Sequence, residues 1–193
     1  WNVSNVTNMS TLFGDDLGFN QDIGSWDLSS VTNTSYMFVA KQDFTQFDNS
    51  EEIIEYLKGI ESVFNQDISQ WNVSSVSNME GMFFNATSFN QDIGNWNLSA
   101  LTNMDRLFEY ASKFNQEIGE WDTSNVTSMR GLFSFAKSFN QEIGGWDTSK
   151  VTDMQLMFKS AESFNQELSQ WNTSNVENMY AMFADAIDFN QNI

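Results

Sequence analysis

The chain reads as an α/β repeat solenoid: a right-handed coil with a narrow parallel β-sheet on one side, short helices on the other and about 25 residues per turn. Three observations predict it. Trp1, Trp26, Trp71, Trp96, Trp121, Trp146 and Trp171 stand 25 residues apart, apart from one gap of 45. Each interval carries the same apolar columns, and all ten Met fall in two of them. Self-similarity at a fixed period means one backbone path repeated, with the same positions turned inward. Residues 1–193 are thus read as a single array of seven repeats starting at those tryptophans, with 45–63 a helical insertion within the second.

The segment Trp121 to Gly145, WDTSNVTSMRGLFSFAKSFNQEIGG, shows both halves of a repeat. Ile143, Trp146 and Thr148 illustrate the strand half, in which Trp and the residue two later share one face. The residue between them (Asp27, Asn72, Asn97, Asp122, Asp147, Asn172) then faces outward. This spacing matches the strand segment of leucine-rich repeats, whose period includes 25. Val31, Val76, Leu101 and Val126 stand where those repeats place an Asn or Cys ladder. Buried polar ladders are expected instead at the Ser column (Ser4, Ser29, Ser74, Ser99, Ser124, Ser149, Ser174) and at the Phe-Asn-Gln column.

The second half has helical spacing. After Asn8, Asn33, Asn78, Asn103, Ser128, Asp153 and Asn178, apolar residues recur as Met129, Leu132, Phe133 and Ala136 do in the fifth repeat. The residue in front can cap such a helix. Roughly two helical turns fit, too few to stand alone, so neighbouring turns must hold them. In the insertion, Asn49 or Ser50 can cap a helix in which Ile53, Ile54 and Leu57 form a stripe that ends near Gly59. That helix is expected to pack on the flank of the coil, with contact to a partner as the alternative.

Composition excludes several function classes. Eight Lys+Arg against 26 Asp+Glu leave a net charge of −18, which excludes a phosphate-tracking surface and so nucleic acid. It equally disfavours an anionic membrane surface, and no apolar run approaches a span, so no membrane insertion is expected. With neither Cys nor His there is no disulfide, thiolate nucleophile, imidazole chemistry or ordinary zinc site. A catalytic centre should interrupt the repeat with a local cluster, whereas the acids recur with the period. No enzyme and no catalytic residue is expected.

The acidic column Asp22, Asp67, Asp92, Glu117, Glu142 and Glu167 stacks like charges about 5 Å apart. It reads as a solvated face that keeps the rod soluble. Ca²⁺ bridging between turns is the alternative, because aligned carboxylates suit a hard cation; otherwise no metal or cofactor is expected. Met and Phe columns read as core. Asn72, Asn97 and Asn172 lie in sequons on the outward column and are candidate N-glycosylation acceptors in a eukaryotic secreted protein.

The string WDTSNVT-x-M-x-x-[ML]-F-x-x-A-x-x-FNQ-[DE]-I, carried by all seven turns, resembles the BspA-like bacterial surface-protein repeat, also seen in mycoplasma lipoproteins. The resemblance implies a leucine-rich-repeat-like fold, an extracellular or cell-surface location, adhesion to a protein or glycan, and no shared catalytic motif. The expectation is a non-enzymatic module that binds an extracellular protein or glycan through its regular acidic-polar strand face. The alternative is a structural subunit of a surface layer or filament, self-associating through solenoid ends or flanks. Trp1 and Ile193 belong to core columns and carry no polar cap, so the expectation is that the parent protein continues or that another chain covers the ends.

Overall fold

A computed structural model describes residues 1–40, 52, 56, 57 and 59–193. The repeats stack turn upon turn. Single parallel bridges join Asn8 to Asn33, Asn33 to Asn78, and onward through Asn103, Ser128 and Asp153 to Asn178. The expected sheet and repeat helices do not form: among the described residues only Glu52, Tyr56 and Leu57 are helical, and all three lie in the insertion. The α/β solenoid reading is therefore corrected to a stack of tight-turn repeats.

The reason lies in where the backbone N–H groups go. In the first half, the outward residue takes a donor from its own turn: Ser29 donates to Asp27 Oδ1 and Ser124 to Asp122 Oδ1, both at 3.0 Å. Val31 and Val126 then donate to the carbonyls of Leu28 and Thr123. Donors held within the turn are lost to a sheet ladder.

In the second half, successive N–H groups point in two directions. Met129, Gly131, Phe133 and Phe135 donate to the carbonyls of Asp153, Gln155, Met157 and Lys159 in the next turn. Leu132, Ser134 and Ala136 return to Met129, Gly131 and Phe133. A helix needs every donor to reach four residues back; here alternate donors leave the turn. The result is a run of linked β-turns, with Gly131 and Phe135 left-handed at φ 62° and 59°. Two linked turns span four residues, so Met129, Leu132, Phe133 and Ala136 still face the same way and are all buried. This ribbon reproduces the apolar spacing of a helix. The expected cap residue plays a different part: Asn33 Oδ1 accepts the N–H of Ser35, two residues on, at 2.9 Å. At Gly81 (φ 56°) the left-handed turn also leaves no room for a Cβ, which would strike the ring of Tyr36.

The interior is a set of aromatic ladders. Phe83 and Phe89 stack at 4.0 Å within a turn, as do Phe133 and Phe139 at 3.8 Å, while Phe108 and Phe133 stack across turns at 5.8 Å. The indole of Trp121 is buried, and its N–H donates to the carbonyl of Ile93 in the turn before at 3.0 Å. Each fully buried Phe contributes roughly 2–3 kcal/mol, so the interior columns hold the stack together.

A second, smaller cluster joins Leu57 of the insertion to Val39 and Phe84, with Tyr36, Tyr56, Ile60 and Tyr110 packed around it. Asn49, Ser50, Ile53 and Ile54 lie outside the described residues. No described helix is long and apolar enough to cross a membrane.

Candidate ligand groove and aperiodic face

The Phe-Asn-Gln column forms a ladder, half-buried at the surface and not buried as expected. Asn115, Asn140 and Asn165 each donate a backbone N–H to the side-chain oxygen of the Asn one turn earlier, at 2.9 Å. The amides of Gln116, Gln141 and Gln166 donate to both oxygens of that earlier Asn. Each Gln nitrogen is thereby engaged, and its carbonyl oxygen remains to accept. The Ser column forms no comparable ladder; its N–H groups close the outward turns instead.

Beside this ladder runs a groove. A stretch of about 980 Å³ is lined by Gln141, Glu142, Gly144 and their equivalents in neighbouring turns. A second stretch of about 420 Å³ shares Glu117, Glu120 and Gln141 with it. Neighbouring turns approach closely here: a Cβ on Gly119 or Gly144 would run into the carbonyl of Glu142 or Glu167. Asp92, Glu117, Glu142 and Glu167 of the acidic column line the groove, and no basic residue does. Asp22 and Asp67 belong to the same column but do not line it; they accept the N–H groups of Gly24 and Ser69. Those Ser69 bonds, backbone first and then hydroxyl, hold the Asp67 carboxyl below the usual range.

Asp27, Asn72, Asn97, Asp122, Asp147 and Asn172 are all exposed, yet none lines the groove. Their side-chain oxygens are tied to their own turns. The hydroxyl and N–H of Ser29, Ser124 and Ser149 keep the carboxyls of Asp27, Asp122 and Asp147 low. Asn72 Oδ1 accepts both the N–H and the hydroxyl of Ser74. The sequon residues Asn72, Asn97 and Asn172 thus sit on exposed turns. Among the described residues no three acidic side chains converge as a metal site.

A different arrangement occupies the outer rows that follow the Met column. The Tyr36 hydroxyl donates to Glu80 at 2.9 Å. Asp105 accepts the Ser128 hydroxyl and the Arg130 N–H, while burial raises its pKa. Glu109 is 8% exposed; its Oε2 has no hydrogen bond and lies 3.5 Å from Arg106 Nε. Burial pushes its carboxyl up to about 7 against the pull of Arg106, Arg130 and Lys159. Tyr110 stacks on Phe135 at 4.6 Å, and Lys159 sits 5.5 Å above that ring.

This is the local polar cluster that reading for periodicity does not reveal. Its signal was the change of residue type within a column: Glu80, Asp105 and Arg130 stand at one position of successive turns, and Glu109 and Lys159 share another; stacking brings residues about one repeat apart into contact.

Fold and groove together define a stacked-repeat protein built from 25-residue turns around aromatic ladders, with one polar groove along the stack. The chain belongs to the family described as Mycoplasma protein of unknown function, DUF285, which it matches over residues 1–54, 52–122 and 114–193. That is a repeat family, broader than the BspA-like resemblance. No curated protein and no solved structure matches the chain.

Proposed function

We propose that the chain is a non-enzymatic, BspA-like cell-surface module that binds an extended protein or glycan along the polar groove. The observation that carries this reading is the repeating lining: an acid from each of four successive turns (Asp92, Glu117, Glu142, Glu167) lines the two adjoining stretches, with the ladder Asn and Gln beside three of them. A site repeated at turn spacing suits a chain-like ligand better than a compact one. The lining is rich in acceptors, since the Gln nitrogens are engaged in the ladder and the carboxylates add oxygens. It therefore suits the hydroxyls of a glycan or the N–H and cationic groups of a polypeptide. The contact row is the acidic column, because the oxygens of the outward column are committed to their own turns. The whole chain applied to a glycan array and a matrix-protein panel should give specific binding. The triple variant Glu117→Lys, Glu142→Lys, Glu167→Lys should lose it, while Asp122→Ala should retain it. Silence in both panels, or binding indifferent to the triple variant, sinks the reading.

A further inference from the structure

A second surface, independent of the groove, gathers positive charge. Of the described basic residues, Lys137 is paired with Glu162 at 2.7 Å, Lys150 donates to Asn125 at 2.7 Å, and Lys113 stands exposed by itself after the fourth repeat's outer row. Arg130 and Lys159 gather beside the Arg106–Glu109 ion pair on the outer rows of repeats four to six, around Tyr110 and Phe135. Among the described residues neither Arg130 nor Lys159 has a carboxylate within ion-pair reach, and Arg130 Nε is buried without a hydrogen-bond partner. The acids nearby are buried or engaged: Glu109 is buried, Asp105 accepts the Ser128 hydroxyl and the Arg130 N–H, and Glu80 accepts the Tyr36 hydroxyl.

We propose that this face, formed by Tyr110, Arg130, Phe135 and Lys159, docks an acidic polypeptide segment. A guanidinium matches a carboxylate in a planar, two-point contact. The half-exposed Tyr110–Phe135 stack offers apolar area of the kind that anchors interfaces. The acids set among the cations disfavour densely charged polymers such as nucleic acid or a sulfated glycan, which need clustered uncompensated cations. A peptide with sparse carboxylates between apolar side chains fits both features. The net charge of −18 does not prevent this, because at physiological salt charges are screened beyond about 8 Å and the local face dominates.

The test is fluorescence-anisotropy titration of the whole chain with a labelled peptide in which Asp alternates with Leu and Ser at pH 7.4, with heparin as the second probe. Saturable binding of the Asp-Leu-Ser peptide that weakens from 50 to 200 mM salt is expected. Combining Arg130→Gln with Lys159→Gln should weaken it about tenfold, the sum of two exposed ion contacts. Glu109→Gln, which removes the internal counter-charge, should tighten it; Lys150→Gln should leave it unchanged. Where melting shows the double variant unfolded, Lys159→Gln alone repeats the test at about threefold. No saturable binding at 50 mM salt, equal loss in Lys150→Gln, or binding of heparin without the Asp-Leu-Ser peptide overturns the proposal.

Discussion

Asn140 and Arg130 belong to the same turn, ten residues apart, and the stack constrains them in opposite ways. Asn140 accepts from the backbone of Asn165 and from Gln166, while its own N–H goes to Asn115. A residue lacking a short amide there loses the side-chain bonds from the following turn, and Asn stands at the equivalent position in all seven turns. The position of Arg130 is filled elsewhere by Ser35, Glu80, Asp105, Gln155 and Tyr180, because its backbone alone takes part in stacking. The contrast teaches which regularity to interpret. Identity along the Asn-Gln rows has a structural cause and says little about a ligand. The acids on the groove rim, and the cations on the opposite half of the repeat, are not required by the stack and need another explanation.

That contrast can be tested most forcefully in the fifth turn. Phe133→Ala removes a ring from the interior ladder and should destabilise the chain by about 3–5 kcal/mol. Phe135→Ala, two residues on but half-exposed, should change stability by less than about 1 kcal/mol. Denaturant unfolding followed by tryptophan fluorescence measures both, and similar losses would contradict the division between interior and outer rows.

The next largest effect is expected from Glu109. Its folded pKa of about 7 lies above the ordinary 4.5, so the folded state holds the proton more tightly than the unfolded chain does. Its contribution is fully present below pH 4.5 and is lost as pH rises through about 7. Over that window the loss is roughly 2–3 kcal/mol. Tm measured from pH 4.5 to 7.5 should fall more for the native chain than for Glu109→Gln; parallel profiles would place the carboxyl in water.

The smallest effects compare the ladder with the groove rim. Asn140→Ala should lose about 1–3 kcal/mol, because it leaves the Asn165 N–H without its partner. Glu142→Ala, exposed on the rim, should stay within about 0.5 kcal/mol. Paired denaturant curves decide this, and a larger loss at Glu142 would make the acidic column structural.

Part of the architecture was legible before any coordinates. The Trp, Met and Phe columns named the inward residues, and the Asn-Gln column named a ladder. Secondary structure was not legible. The spacing of Met129, Leu132, Phe133 and Ala136 fits a helix and a ribbon of linked turns equally well, and Asp122 reads as an outward strand residue until its oxygen is seen closing a turn on Ser124. At the groove, the acidic column was visible as a row. Which of its members line a cavity depends on how turns approach at Gly119 and Gly144.

By itself the sequence determined the period, the inward columns and the charge balance, because these are properties of residue order and type. Only the stacked structure decided which N–H groups stay within a turn and which cross to the next. That choice is a competition between local and neighbouring acceptors, and it exists only once the turns are in contact. The same contact set Glu109 among Arg106, Arg130 and Lys159, groups that no window of one repeat places together.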